Sequence, residues 1–319
     1  MTAILTLDIG GSKTDLTLWQ SDCRMPRHLR SLTIPTDYPD EEALLAPLDT
    51  VCQGRQDIEA AVLAVAGPIT SDDGCLHLTN NPCRIDPARL QTHLPEDCRL
   101  SALNDLEALA HSLDALTPEQ LIRIQPGGWH PYSPRLAAAV GTGFGMAALL
   151  PGRHVVPTEA GHTTFAPQTA AQAELCRRIA ADLPTLTVEH LLSGDGLARI
   201  FQAVCPQPQP LSAAEVTRLA AADEPLSADA RRAVTIFSEA VGTTLANMTL
   251  VFLAAGGVFL GGGVIAHLGE LFDCDAFTRG FCRPGTLSAM LADTPVYLIT
   301  DPAAASLGAA IYAEQRLLG

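Results

Sequence analysis

The stretch AILTLDIGGSKTDLTLW, residues 3–19, decides the fold. Two runs rich in apolar residues flank Gly10, Gly11, Ser12 and Lys13, which is the pattern of a β-hairpin with a glycine turn. Backbone N–H groups in such a turn can approach a phosphate closely, because no Cβ blocks the approach. A plain hairpin favours the same residues. This stretch alone therefore leaves a structural turn and a phosphate turn both open.

Composition limits the classes of protein to consider. The chain has 319 residues, of which 47% are hydrophobic and 17% charged, so we expect a globular protein of two domains. A net charge of -15 argues against binding of nucleic acid or of an anionic membrane. The nine cysteines form no C-x-x-C pair, which favours thiols in a reducing cytoplasm over a disulfide scaffold or a zinc ribbon. We also expect no signal peptide and no membrane-spanning segment.

A second glycine hairpin repeats the first. RLAAAVGTGFGMAALL, residues 135–150, places Gly141, Thr142 and Gly143 between two apolar runs. This repeat predicts two related α/β lobes that face a cleft. We expect a small domain over residues 1–107, completed by a C-terminal helix over 303–319, and a large domain over 108–302.

Several element boundaries are also readable from the sequence. A strand should pass into a helix at Asn104–Asp105, and GGVFLGGGV, residues 256–264, should be a buried strand that opens through glycines onto a helix. Ser227 is the expected N-cap of a long helix that ends near Phe252. A Pro- and Gly-bearing passage, Thr117–Pro134, precedes the second hairpin.

Asp8 is a carboxylate inside an apolar run. Burial of such a group is costly unless it is paired, hydrogen bonded or close to a metal ion. Beside a phosphate turn, Mg²⁺ held directly or through water is the simplest explanation. The spacing of the glycines fits neither a Walker loop nor a dinucleotide-binding fingerprint.

Four further polar residues have both a structural and a functional interpretation. Asp105 is typical of a helix N-cap, Glu159 and His162 are typical of a polar loop, and Glu189 is typical of a solvated helix. From the residues alone, these interpretations stay open beside a functional role, such as a metal pair of Glu159 and His162.

A set of motifs nevertheless resembles a known family over nearly the whole chain. The motifs DIGGS, AVAGPI, LTNN, LNDLEALA, GTGFG, EAGH, EHLLSGDGL and GGVFLGGGV occur in the order and approximate spacing of the bacterial glucokinases. This family lies in the wider superfamily of hexokinase, actin and Hsp70. The resemblance implies an α/β fold, namely a two-lobed actin-like ATPase (ribonuclease H-like) sugar kinase with a central cleft.

The resemblance also implies a function and a set of site residues. It implies ATP-dependent phosphorylation of glucose at the 6-hydroxyl, with Mg²⁺ as cofactor, in a homodimer, and with Asp105 as catalytic base. The implied sugar ligands are Thr79, Asn80, Asn104, Asp105, Glu159, His162 and Glu189. The implied nucleotide contacts are Asp8, Gly10, Gly11, Ser12, Lys13, Thr14, Gly141, Thr142, Gly143, Gly261, Gly262 and Gly263. Of these, Asp8 would also hold Mg²⁺ through water.

The chain departs from the family pattern at two positions. Cys83 stands where many relatives have an aromatic residue, and Lys13, the only lysine, stands where Asn is common. The zinc motif of the related ROK sugar kinases and the DNA-binding extension of ROK repressors are not expected here. A kinase for another hexose or a hexosamine, and a catalytically silent sugar-binding regulator, remain as alternatives.

Overall fold

The computed structural model describes residues 2–22, 25–69, 73–128, 130–206 and 210–319. The chain divides into two compact units. Unit 1 consists of residues 1–117 and 301–319, and unit 2 consists of residues 118–300. None of the eight cysteines within the described ranges forms a disulfide. Cys23, the ninth predicted thiol, lies outside those ranges.

Unit 1 contains a five-stranded sheet in the order β3-β2-β1-β4-β7 and a small two-stranded sheet of β5 and β6. Its strands are β1 Ala3–Ile9, β2 Lys13–Gln20, β3 Arg27–Pro35, β4 Ile58–Val65, β5 Leu76–His77, β6 Arg84–Ile85 and β7 Arg99–Asn104. Its helices are α1 Glu42–Cys52, α2 Pro87–Gln91, α3 Asp105–Ser112 and, last in the chain, α11 Ala304–Arg316.

The predicted first hairpin is confirmed, because β1 and β2 pair antiparallel around residues 10–12. Successive side chains of β1 point to opposite faces of the sheet. Leu5 and Leu7 pack in a core that includes Leu44 of α1. Ile4 packs in a second core with residues of α3 and α11. Both faces of β1 are therefore covered, which explains its nearly continuous apolar sequence.

The boundary between the units follows Thr117, rather than residue 107 as expected. The reason is the packing of α3 against α11 within unit 1. A Cβ on Gly308 of α11 would lie 1.8 Å from the carbonyl oxygen of Ala108 in α3. Because the two helices approach so closely, α3 stays with the C-terminal helix.

Unit 2 is built on a six-stranded sheet in the order β11-β10-β9-β12-β13-β8. Its strands are β8 Leu121–Gln125, β9 Arg135–Val140, β10 Phe144–Leu150, β11 His154–Thr158, β12 Val258–Gly261 and β13 Val296–Ile299. Its helices are α4 Ala170–Ile179, α5 Gly194–Val204, α6 Ala213–Ala221, α7 Ser227–Phe252, α8 Gly263–Leu268, α9 Cys274–Phe281 and α10 Ser288–Ala292. Short 3-10 turns cover Pro118–Gln120, Ala160–His162, Ala180–Asp182 and Gly269–Leu271.

The two sheets share one topology, which confirms the predicted repeat. Each begins with three antiparallel strands and continues with two strands that run parallel to the first of them. Unit 2 adds β8, which pairs antiparallel with β13 at the edge of its sheet. β8 lies in the Pro- and Gly-bearing passage Thr117–Pro134, in which the sequence indicated no strand; pairing with β13 makes Leu121–Gln125 one.

The long helix α7 begins as expected at Ser227 and ends at Phe252, but its N-cap is Leu226, at φ +73°. The prediction of Ser227 as N-cap was wrong. Ser227 is the first residue of the helix, and its hydroxyl accepts a hydrogen bond from the N–H of Glu224, three residues upstream, instead of capping the helix. By length and composition α7 could cross a membrane, but 61% of its most apolar window is buried within the protein. The helix is accordingly part of the core of unit 2.

The half-buried His111 of α3 gives unit 1 a pH-dependent stability. Its ring lies 5.3 Å from that of Tyr312, and burial, assisted by the nearby Arg316 charge, lowers its pKa from 6.5 to about 4. The unfolded chain takes up this proton near pH 6.5 and the folded chain only near pH 4. The stabilisation is complete above pH 6.5 and is lost as the pH falls toward 4.

We therefore expect the free energy of unfolding of the wild type to fall by about 1–2 kcal/mol more than that of His111→Phe between pH 7.5 and pH 5. Denaturant titrations at both pH values measure this difference. His93→Phe, at an exposed position, serves as the control and should follow the wild type. Parallel pH dependence of the wild type and His111→Phe would contradict the assignment.

Candidate functional site

The carboxyl edge of the unit 1 sheet collects most of the site residues predicted in that unit. Because β1, β4 and β7 are parallel and in register, Ile9, Val65 and Asn104 end their strands side by side. Asp8 shares a face of the sheet with Ile4, the face covered by α3 and α11. The glycine turn follows Asp8 by two residues, and Asp105 opens α3 directly after β7.

Asn104 and Asp105 form the predicted junction between strand and helix. Asn104 is the N-cap of α3, with its Oδ1 accepting from Leu106 N–H at 3.0 Å and its Nδ2 donating to the carbonyl of Gly67 at 3.2 Å. Asp105 Oδ1 also accepts from Leu106 N–H, at 2.9 Å. Asn104, the N-cap residue, and Asp105 therefore share the Leu106 N–H at the start of α3.

Asp8 has the electrostatics of a cation ligand. Burial above all, and then the charge of Asp15 directly opposite on β2, raise the pKa of Asp8 to about 6, whereas the Lys13 charge acts in the other direction. No hydrogen bond between the described residues involves the Asp8 carboxylate. A carboxylate in this state, beside a second one, fits the oxygen-rich coordination that Mg²⁺ prefers.

Lys13 does not contact Asp8 in the structure. Its Nζ lies 2.6 Å from Oδ2 of Asp15, and more than half of its side chain is exposed. Asp15 also accepts a hydrogen bond from the hydroxyl of Thr33. The prediction that Lys13 meets a phosphate stays a prediction. Asp15 was missed in the sequence because its position opposite Asp8 depends on the register of the hairpin.

The buried Thr14 supports the turn from inside the unit. Its hydroxyl is hydrogen bonded to those of Thr36 and Tyr38. The Thr14 side chain therefore belongs to the structure beneath the turn, and its predicted contact with a nucleotide stays a prediction.

Thr79 and Asn80 lie exposed in the loop between β5 and β6. Thr79 N–H donates to the carbonyl of Ala66 at 3.0 Å, which docks this loop on the end of β4. A Cβ on Gly67 would lie 2.1 Å from the carbonyl oxygen of His77, so the close approach requires glycine there. Cys83, in place of the family's aromatic residue, is buried in the core and forms no wall of the loop.

In unit 2 the structure brings the three predicted polar residues together. Glu159 and His162 bracket a 3-10 turn, and their Oε2 and Nε2 atoms lie 3.7 Å apart. Glu189 N–H donates to the carbonyl of Gly161, in the middle of the same turn, at 2.9 Å. The motifs EAGH and EHLLSG, almost 30 residues apart in sequence, therefore form one cluster.

This cluster is attached to the second glycine hairpin. Glu189 Oε2 accepts from Phe144 N–H at 3.1 Å, and a Cβ on Gly161 would lie 2.2 Å from the carbonyl oxygen of Phe144. Glycine is thus required at position 161 so that the polar cluster can pack against the first residue of β10. The two parts of the unit 2 site are held together by backbone contacts.

The glycine turns of unit 2 meet at the carboxyl edge of its sheet. Gly141–Gly143 follow β9. Gly261 ends the adjacent strand β12, Gly262 is the N-cap of α8 and Gly263 is its first residue. Gly194, the first residue of α5, donates its N–H to the carbonyl of Gly141 at 3.0 Å. Glycine turns and the N-terminus of an 11-residue helix both favour anions.

Ser193 and Gly194 were not among the predicted site residues. Ser193 is the N-cap of α5 and accepts a hydrogen bond from Gly196 N–H at 3.0 Å. The serine followed by small residues in LLSGDG is a recognisable helix start. What the sequence does not show is that this helix begins against the Gly141 carbonyl.

Two repeated α/β units, each with a glycine hairpin at the carboxyl edge of its sheet, define a sugar kinase of the actin-like ATPase fold. The sequence model of the glucokinase family matches residues 5–316, and the chain belongs to that family.

Individual relatives agree with this assignment. A glucokinase of Chromobacterium violaceum is 33% identical, with 97% of this chain and 89% of that protein aligned. The crystal structure of a glucokinase from an Antarctic psychrotroph is 27% identical, with a TM-score of 0.82 and 98% of both chains covered. A glucokinase from Balamuthia mandrillaris in complex with glucose has a TM-score of 0.79 at 22% identity, over 98% of this chain and 94% of that one.

Gly262 gives a direct test of the close approach between the two unit 2 turns. It has φ +101°, and a Cβ there would lie 2.3 Å from the carbonyl oxygen of Val140, whereas a Cβ on Gly263 would meet nothing within 4 Å. We expect Gly262→Ala to lower the Tm by more than about 5 °C and Gly263→Ala to shift it by less than about 2 °C. Thermal unfolding of both variants provides the comparison. Equal shifts would show that the backbone relaxes freely at this point.

Proposed function

We propose that this protein transfers the γ-phosphoryl group of ATP to the 6-hydroxyl of glucose, with Asp105 as the catalytic base. The observation that carries the proposal is the position of Asp105, which follows β7 at the sheet edge where Asp8 and the glycine turn also lie. Membership of the glucokinase family supports the reaction and both substrates.

The roles of the sugar ligands follow from their chemistry. Each hydroxyl of a hexose both donates and accepts, so it is matched by amide, carboxylate and imidazole groups. The proposed sugar ligands are Thr79, Asn80, Asn104, Asp105, Glu159, His162 and Glu189. A sugar that lacks a hydroxyl, or turns it the other way, leaves one of these groups unsatisfied, which gives selectivity.

The proposed nucleotide contacts are the glycine turns of the two units, with Lys13 as a further phosphate ligand. Bound Mg²⁺ would neutralise charge on the phosphates, and Asp8 is the residue that would hold it, through water. Asp105 accepts the proton of the attacking hydroxyl, while the other residues orient the sugar and exclude water. We also propose a cytoplasmic homodimer, which the family resemblance supports.

Replacement of Asp105 by Asn separates catalysis from helix capping. Asn104 remains as N-cap, and the amide introduced at position 105 retains an oxygen that can accept from Leu106 N–H. We expect kcat to fall by roughly 10²-fold to 10⁴-fold, because the general base is lost, with the Tm almost unchanged. Coupled ADP-release kinetics and thermal unfolding are measured together, with the exposed change Asp97→Asn as control. Normal turnover by folded Asp105→Asn protein would exclude the catalytic role of Asp105. Absence of turnover by the wild type with every hexose would instead favour a silent sugar-binding regulator.

A panel of hexoses distinguishes glucose from the other sugars considered. The pairing of the EAGH and EHLLSG motifs in one polar cluster favours glucose, so we expect N-acetylglucosamine and mannose to be poorer substrates by at least about tenfold in kcat/KM. The assay follows ADP release with each sugar at saturating ATP, with and without Mg²⁺. Higher kcat/KM for N-acetylglucosamine or mannose would assign the protein to another sugar.

A further inference from the structure

The side chain of Asn81 joins three segments of unit 1. Its Nδ2 donates to the carbonyl of Gly11 at 2.9 Å and to that of Thr36 at 2.8 Å, and its Oδ1 accepts from Cys83 N–H at 2.8 Å. Both amide hydrogens and the oxygen are used. A reversed amide would set its oxygen against two carbonyls, so the contacts fix the orientation.

The joined segments are the ones to which phosphate and sugar contacts are assigned. Gly11 is the centre of the turn after Asp8, Thr36 follows β3, and Asn81 itself follows Thr79 and Asn80. Thr36 N–H also donates to the carbonyl of Ser12 at 3.0 Å. Asn81 is therefore bonded to the turn directly, at Gly11, and also indirectly, through Thr36, which is itself bonded to Ser12.

The bond to the Gly11 carbonyl has a consequence on the other side of the turn. The Gly11 carbonyl and the Ser12 N–H belong to one planar, trans peptide unit and so point in opposite directions. Asn81 therefore fixes the direction of the Ser12 N–H, away from itself. Within the parts of the chain that the structure describes, no hydrogen bond uses the N–H of Gly11 or of Ser12.

The inner side of the turn is already rigid. The hydroxyls of Thr14, Thr36 and Tyr38 form a buried network, and burial raises the pKa of Tyr38 to about 12, so the phenol stays neutral. The loop side depends on Asn81. Loss of its amide would free the Gly11 peptide to rotate while the network beneath it persists.

We propose that Asn81 is a positioning residue for the nucleotide, because its amide holds the Gly11–Ser12 peptide with the N–H directed to receive a phosphate. This inference rests on the proposed function, which makes the turn a phosphate site. Asn81 itself contacts no nucleotide in this proposal; it acts through the turn.

The deciding variant is Asn81→Asp, which keeps the acceptor for Cys83 N–H but sets an oxygen against two carbonyls. Asn81→Ala, which removes donor and acceptor together, is the second variant. Gln91→Glu is the matched control, because it makes the same amide-to-acid change at a partly buried side chain whose Nε2 donates to a backbone carbonyl, that of Cys98, in the same unit. Calorimetric titration with ADP and Mg²⁺, steady-state kinetics and thermal unfolding are run on all four proteins.

We expect both Asn81 variants to raise the Kd for ADP and the KM for ATP about tenfold. In Asn81→Asp the KM for glucose should stay within about twofold of the wild type, because the bond to Cys83 is retained, and Gln91→Glu should change neither KM. Unchanged ADP affinity in a folded Asn81 variant overturns the inference, as does an equal rise of both KM values with a lowered Tm.

Failure of both Asn81 variants to fold also overturns it, because Asn81 would then support the fold rather than the turn. The proposed function fails separately, if the wild type does not phosphorylate glucose. In that case the ADP titration still tests the role of Asn81. If the wild type does not bind ADP, the inference that Asn81 positions the turn for a nucleotide is overturned.

Discussion

Parallel pairing of β1, β4 and β7 is the constraint on which unit 1 depends. Parallel strands must be joined by crossovers, and their carboxyl ends meet at one edge of the sheet. Ile9, Val65 and Asn104 end in register there. A shift of β1 by one residue would turn Asp8 to the opposite face, so the burial of apolar side chains on both faces also sets the direction of the Asp8 carboxylate.

Unit 2 uses the same topology, and its closest backbone contacts require glycine, because any side chain there would collide with a neighbouring segment. At Gly161 and Gly262 a Cβ would fall within 2.3 Å of a carbonyl oxygen on a neighbouring segment. These contacts bring the polar cluster against β10 and the two glycine turns against each other. Unit 1 relies on the same exclusion at Gly67 and Gly308, so glycine is required at close backbone approaches in both units.

The sequence was informative where local chemistry decides the structure. The glycine hairpins, the Asn104–Asp105 junction and the buried strand before Gly261 are set by turn residues, cap residues and continuous apolar runs. It was less informative where a distant partner decides: β8 exists because β13 pairs with it. Asn81 and Asp15 acquire their importance from residues across a loop or a strand pair. Ser227 has a side chain that can cap a helix, but its hydroxyl accepts a hydrogen bond from the backbone N–H of Glu224 instead.

The exposure of Lys13 makes the glycine turn accessible to chemical labelling. Lys13 carries the only side-chain amine in the chain, and 55% of its side chain is exposed. An amine-directed fluorophore or cross-linker would therefore attach, among the side chains, at one defined place beside Gly10–Ser12. Because its other basic residues are arginines, the chain carries a natural labelling site at the glycine turn, without an engineered cysteine.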